Sequence, residues 1–254
     1  MTGLGAFVRK ELTEIVRTWR IWVIPGMLVF FGITSPIIAA LTPALVQSMT
    51  ASQPGVVIRV PPPTALDAYA QFLKNLDQFV LIAIVISGAG AVSGERSSGT
   101  AILALTKPIS RGAFVVAKIL SQVGLLVAAT VLGTAICLAV TAVVFPGGNA
   151  ARLVTTVALW LLYASLFVVV MTLLSASLRS RGAAAGAGLT FYFLALLLSN
   201  WGPMARYAFF GLFPAMRDAL LGRSLSLGWP LVTAVLAMAA GTVAAMRLFE
   251  RQEL

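Results

Sequence analysis

The chain has 254 residues, of which 59% are hydrophobic and only 10% charged, with a formal net charge of +10, one cysteine and no histidine. A soluble domain carries about a quarter charged residues, so this composition excludes a soluble globular fold and indicates an integral membrane protein. The basic residues flank apolar runs and do not interleave with aromatics, which argues for anionic headgroups and against nucleic acid as their partner. At about 20 residues per span plus loops, the length accommodates six spans.

Leu4–Arg20 comes first. Leu4, Phe7, Val8, Leu12, Ile15, Trp19 and Trp22 recur at helical spacing, with Arg9, Lys10, Glu14, Arg17 and Arg20 on the other side. That periodicity fits either a helix in the headgroup plane or the basic flank of the first span. The first span is the uncharged run Ile21–Val46, too long for a signal-peptide core and expected to remain as a signal anchor. Pro25, Pro36 and Pro43 lie inside it, which membrane helices tolerate when neighbours satisfy the freed carbonyls.

Gln47–Pro63 is polar and proline-rich and holds the one plausible strand, Val56–Val60. Thr64-Ala-Leu-Asp67 then reads as a capping box. From Ala65 a helical pattern continues without a breaker into the second span, 76–94, so one long helix is expected. Gly90 and Gly94 form a GxxxG pair, a spacing that permits close helix packing and also arises by chance.

Between the second and third spans lies the stretch Ser93–Lys118, with Glu95, Arg96, Lys107, Arg111 and Lys118. Ile102, Leu103 and Leu105 offer one apolar side of a short amphipathic helix, which Lys107-Pro108 interrupts. Ser110 can cap the helix that follows. The later spans read as 111–145, ending at Pro146-Gly147-Gly148, then 152–178, 182–200 and 228–248. Arg179-Ser-Arg181 forms a basic turn, and Gly182, Gly186 and Gly188 a second small-residue face. Trp201–Leu227, with Phe209, Phe210, Phe213 and Arg217, is too apolar for a free loop and too charged to span. Two short helices dipping into the outer leaflet and returning fit it best.

With both termini in the cytosol, the inner basic set is Arg9, Lys10, Arg17, Arg20, Arg96, Lys107, Arg111, Lys118, Arg179, Arg181, Arg247 and Arg251. The outer set is Arg59, Lys74, Arg152, Arg206, Arg217 and Arg223. Twelve against six is the direction the positive-inside rule demands.

Catalytic motifs are missing. Without histidine, and with Cys137 alone, no histidine–cysteine metal cluster or cysteine–histidine pair can form. No Gly-x-x-x-x-Gly-Lys-Ser/Thr loop is available to cradle ATP phosphates. The acids fall near span ends or in loops, and a mid-membrane charge would cost roughly 2.5–3.5 kcal/mol on insertion scales. Energy for transport would therefore come from a partner and not from a buried carboxylate.

Glu95-Arg96, Gly99-Thr100, Leu103, Pro108, Ser110-Arg111 and Lys118 resemble the signature of type-2 ABC transporter permeases. The similarity is greatest to the six-span, stand-alone permeases related to the nitrous-oxide-reductase maturation permease. Ser97-Ser98 depart from the charged residues that many members carry before the Gly-Thr pair. The resemblance implies an all-α polytopic protein in a bacterial or archaeal cytoplasmic membrane, a single permease domain over 1–254. Residues 1–20 would form its interfacial helix and 95–110 its coupling loop.

It also implies that Glu95, Arg96, Gly99, Thr100, Leu103, Lys107, Pro108 and Arg111 dock on separate ABC ATPase subunits, which hold ATP and magnesium. The permease itself would bind no cofactor and would pair as a homodimer or heterodimer, with Phe209, Phe210, Phe213 and Arg217 in an outer lid. A non-transporting membrane subunit that passes ATPase motion to a periplasmic or regulatory partner is the alternative. A channel or secondary carrier would need polar residues lining several spans, a pattern the sequence lacks.

Overall fold

The computed structural model describes residues 3–17, 20–50, 61–94, 111–178 and 180–251. The strand expected at Val56–Val60 and the coupling loop 95–110 lie outside these residues.

Helix α1, Gly3–Arg17, is followed by α2, Arg20–Thr50, which runs through all three prolines. Helix α3, Ala65–Asn75, passes through a π-helical turn, Leu76–Val80, into α4, Leu81–Gly88. The expected single long helix is thus present, entered eleven residues before position 76 and widened once along its length. Its first turn is fixed by Asp67, whose Oδ2 accepts from the Thr64 amide at 2.8 Å and the Thr64 hydroxyl at 2.7 Å.

Then follow α5, Arg111–Val144, α6, Ala150–Ser177, and α7, Arg181–Ser199. Asn149 caps α6 by accepting from the Ala151 amide, and Ser180 caps α7 by accepting from Ala183. The segment after α7 folds as α8, Gly202–Tyr207, a 3₁₀ turn, Phe209–Gly211, and α9, Leu212–Leu221. Gly222 ends α9 with φ +70°, a left-handed conformation that glycine adopts without steric penalty. The last helix is α10, Gly228–Glu250. Six stretches are long and apolar enough to cross a membrane: Trp22–Ser48, Ala65–Gly88, Gly112–Val144, Ala150–Ser177, Arg181–Ser199 and Gly228–Glu250.

Helix α6 is the hub. It buries Trp160, Tyr163 and Phe167, and α4, α5, α7, α9 and α10 all pack on it. Exposed apolar residues such as Phe30, Val131, Phe193 and Leu236 face outward, as a lipid solvent permits. The most extensive helix pair is α2 with α5, and it crosses at glycines. A Cβ on Gly32 would lie 2.6 Å from the Gly133 carbonyl oxygen, and one on Gly133 would lie 2.9 Å from Leu28 backbone and side chain. Close backbone approach of this kind is how membrane helices gain packing without a hydrophobic driving force.

Gly32→Ala is therefore expected to destabilise by about 1–3 kcal/mol, seen as a fall in unfolding temperature in detergent of roughly 2–12 °C. Gly124 has open space around it, so Gly124→Ala should be neutral or raise the temperature through helix propensity. Equal effects at the two positions would refute a tight crossing.

The two small-residue faces read from the sequence behave differently from a helix–helix seam. Gly90 and Gly94 make room for the Arg181 side chain, whose guanidinium would sit 2.8 Å from a Cβ at Gly94. Of Gly182, Gly186 and Gly188, only Gly188 meets a neighbour closely, against Met171 and Val85.

Candidate functional site

The site is the end of the bundle from which loop 95–110 departs. Glu95, Arg96, Gly99, Thr100, Leu103, Lys107 and Pro108 lie outside the described residues, and Arg111 opens α5. What the structure defines is how the two ends of that loop are held.

On the incoming side, α4 ends at Gly88 and the chain turns through Ala89–Val92. In an unbroken helix, the Val92 and Ser93 amides would bond to the carbonyls four residues back. Both instead donate to Ser175 Oγ of α6 at 3.0 Å, and Ser175 Oγ donates to the Ala89 carbonyl at 2.8 Å. A hydroxyl has one proton and two lone pairs, so the two amides take both lone pairs of Ser175 and its one proton is divided between Ala89 O and Ser93 Oγ at 3.2 Å. Ser93 Oγ also donates to Ala89 O at 3.0 Å. A buried side chain inserted into the helical ladder interrupts the helix at Ala89–Val92, a few residues before the loop.

On the outgoing side, α5 carries Phe114 and Lys118. The Lys118 ammonium, on a side chain 2% exposed, pairs with Glu11 Oε2 of α1 at 3.0 Å and lies 4.9 Å over the Phe114 ring. Phe114 stacks on Phe249 of α10 at 5.1 Å and meets Phe7 of α1 at 5.4 Å. Phe7, Val92, Phe114 and Phe249 belong to one buried cluster. Residues from just before the loop, just after it, and from α1 and α10 thus share one packed core.

Lys118, counted in the sequence with the inner basic set, is buried inside the bundle. Its preference for Glu11 follows from burial, since an ammonium removed from water requires a charged partner. Sequence reading also passed over Glu11. It falls four residues after Phe7 and so on the same helical face, a legible signal, but its partner is 107 residues away.

At the opposite end, the lid candidates pack within their own chain. Phe209 and Phe210 have centroids 4.1 Å apart, Phe209 lies 6.4 Å from Phe191, and Phe213 lies 6.4 Å from Tyr163. The Arg217 guanidinium sits 5.0 Å over the Phe213 ring. Thr156 of α6 donates to the Met216 carbonyl at 3.3 Å, holding α9 on the hub.

The expectation that every acid lies near a span end or in a loop fails at Asp77. This residue is 8% exposed and sits in the π-helical turn, midway along the candidate span Ala65–Gly88. The helix entering earlier than position 76 is the reason.

Helical throughout its regular elements among the described residues and with six membrane-length stretches, the protein is an all-α, multi-pass membrane protein. It belongs to the family of ABC-2 family transporter proteins, whose model matches residues 6–254. It is also similar to YxlG, an uncharacterized transmembrane protein of Bacillus subtilis (strain 168). The two are 22% identical over 190 residues, covering 74% of this chain and 73% of that protein. The resemblance carried by the loop residues and Lys118 agrees with this membership.

Proposed function

We propose that the chain is the permease subunit of an ATP-driven exporter. Two copies, or one copy and a second permease, form the pathway, and separate ABC ATPase subunits holding ATP and magnesium drive it. Glu95, Arg96, Gly99, Thr100, Leu103, Lys107, Pro108 and Arg111 dock on the ATPase. Phe209, Phe210, Phe213 and Arg217 cover the pathway at the far end. The chain lies in a bacterial or archaeal cytoplasmic membrane with both termini in the cytosol, a reading supported by the twelve-to-six charge asymmetry.

The observation that carries the proposal is the shared core at the loop end. Val92 before the loop and Phe114 after it pack in one cluster with Phe7 of α1 and Phe249 of α10. A force applied to the loop enters a rigid block joined to four helices and does not dissipate in a flexible linker. Ser175 fixes the same block to the hub helix. Family membership supplies the ATPase as the source of that force.

Copurification with a cassette ATPase, and ATP turnover stimulated by the permease, test the proposal. Reversing a charge at a docking surface removes an attraction and adds a repulsion, so Glu95→Lys should lower stimulated turnover by roughly tenfold or more. Gly99→Val should do the same by steric exclusion. If both variants assemble and stimulate like the wild type, the loop is not the coupling element.

A further inference from the structure

Helix α3, the π-helical turn, α7 and α9 enclose a cleft of about 590 Å³ whose lining includes Asp77, Tyr192, Phe213, Arg217 and Lys74. Its chemistry is out of balance. Asp77 Oδ1 is buried without a hydrogen-bond partner, and so are Trp160 Nε1 and the Tyr163 hydroxyl. Trp160 is near enough to the Asp77 carboxyl to act on it as a donor, but outside the geometry of a formed hydrogen bond, and Tyr163 feels the carboxyl electrostatically. Buried polar atoms in native proteins are almost always paired, and leaving one unpaired costs about 1–3 kcal/mol.

The local backbone keeps Asp77 in place. A π-helical turn shifts the hydrogen-bond register, a feature frequent at functional sites, and the Tyr192 hydroxyl takes up the Asp77 carbonyl at 3.0 Å. The carboxyl is thereby fixed at the cleft with an acceptor to spare. Arg217 is close enough to act on it electrostatically, but its guanidinium is stacked on Phe213.

A buried carboxyl beside aromatic rings suits a cation that brings its own donors and a charge to pair with the carboxylate. A primary ammonium offers three and is attracted to ring faces. The remaining wall is apolar, with Leu73, Leu196 and Leu220, and fits a hydrocarbon chain. The two basic side chains, Lys74 and Arg217, complement an anionic group next to the amine.

We propose that this cleft binds the primary ammonium head of an amphiphile, with Asp77 receiving the ammonium and Tyr192 and Phe213 walling it. As the cargo site of an exporter it rests on the permease reading; as a binding site it stands without it. The head can belong to a membrane lipid such as phosphoethanolamine or to a free amphiphilic amine.

The test is calorimetric titration of the purified chain in a neutral detergent with four probes. These are dihexanoyl phosphoethanolamine, dihexanoyl phosphoglycerol, octylammonium and octanol. The two ammonium probes should bind, and their uncharged or anionic counterparts should bind at least about tenfold more weakly. Asp77→Asn keeps the shape and removes the charge, and should weaken both ammonium probes by a similar factor without lowering the unfolding temperature. Phe213→Leu, which removes a ring but no charge, should weaken them about two- to fivefold, and it serves if Asp77→Asn does not fold.

Phosphoethanolamine binding tighter than octylammonium, with the difference erased by Arg217→Gln, identifies a lipid head. Equal binding identifies a free amine. Octanol binding as tightly as octylammonium, or full ammonium affinity in the Asp77 or Phe213 variant, overturns the proposal. No ATPase enters the assay, so its failure leaves the permease reading standing, and failed coupling leaves this result standing.

Discussion

Replacing Glu11 by leucine is expected to lower the unfolding temperature of the purified chain in detergent by roughly 6–20 °C, equivalent to about 3–5 kcal/mol. The Glu11 side chain is 7% exposed and accepts ion pairs from Lys118 at 3.0 Å and Lys10 at 3.1 Å. Removing the carboxylate breaks the 3.0 Å ion pair of an ammonium whose side chain is 2% exposed and lies over the Phe114 ring. The exposed contact, Lys10 with Glu14 at 2.8 Å, is an i,i+4 surface pair and contributes only about 0.3–0.5 kcal/mol.

Lys118→Met should also lower the unfolding temperature, breaking the same pair while Glu11 keeps Lys10 at 3.1 Å. The double variant Glu11→Leu/Lys118→Met should recover part of the loss, since an apolar pair suits that cluster and neither member of the ion pair is then buried alone. Scanning fluorimetry of the four proteins measures the coupling. A shift below about 2 °C for Glu11→Leu would mean that α1 is not held by this pair.

Ser175→Ala is the second large effect expected. It leaves the Val92 and Ser93 amides without their acceptor, while the Ala89 carbonyl retains Ser93 Oγ. Two buried amides at about 1–3 kcal/mol each give a loss of roughly 2–6 kcal/mol. The local readout is hydrogen exchange of those two amides, which a loss of about 2 kcal/mol accelerates roughly thirtyfold. Ser177→Ala removes an exposed hydroxyl bonded only within its own helix and should leave exchange unchanged. Unaltered protection at Val92 and Ser93 in Ser175→Ala would refute the joint. If the permease reading holds, the same variant should keep ATPase assembly and lose stimulated turnover, because docking is intact and transmission is not.

The fold was largely legible because a bilayer restricts the options. Runs such as Ile21–Val46 can only be helical where no water satisfies the backbone, and their ends are punctuated by Pro146-Gly147-Gly148, Asn149 and Ser180. Asp67 acts on Thr64 as the local pattern implied, since a cap needs only residues three apart. The start of the second long helix at Ala65 was legible from its cap, but not that the helix buries polar Asn75 and Asp77 before the apolar run that begins near Phe79.

The sequence by itself determined the class of protein, the helix order and the place of the loop, since each depends on local composition and on charges flanking apolar runs. Only the tertiary structure decided which polar side chains are interior. Glu11 and Lys118, Ser175 and the Val92–Ser93 amides, and Asp77 with Tyr192 are pairs separated by 107, 82–83 and 115 residues. A serine in an apolar helix carries no mark of its partner. The free energy of burying a polar group depends on what lies opposite it, and helix packing alone sets that.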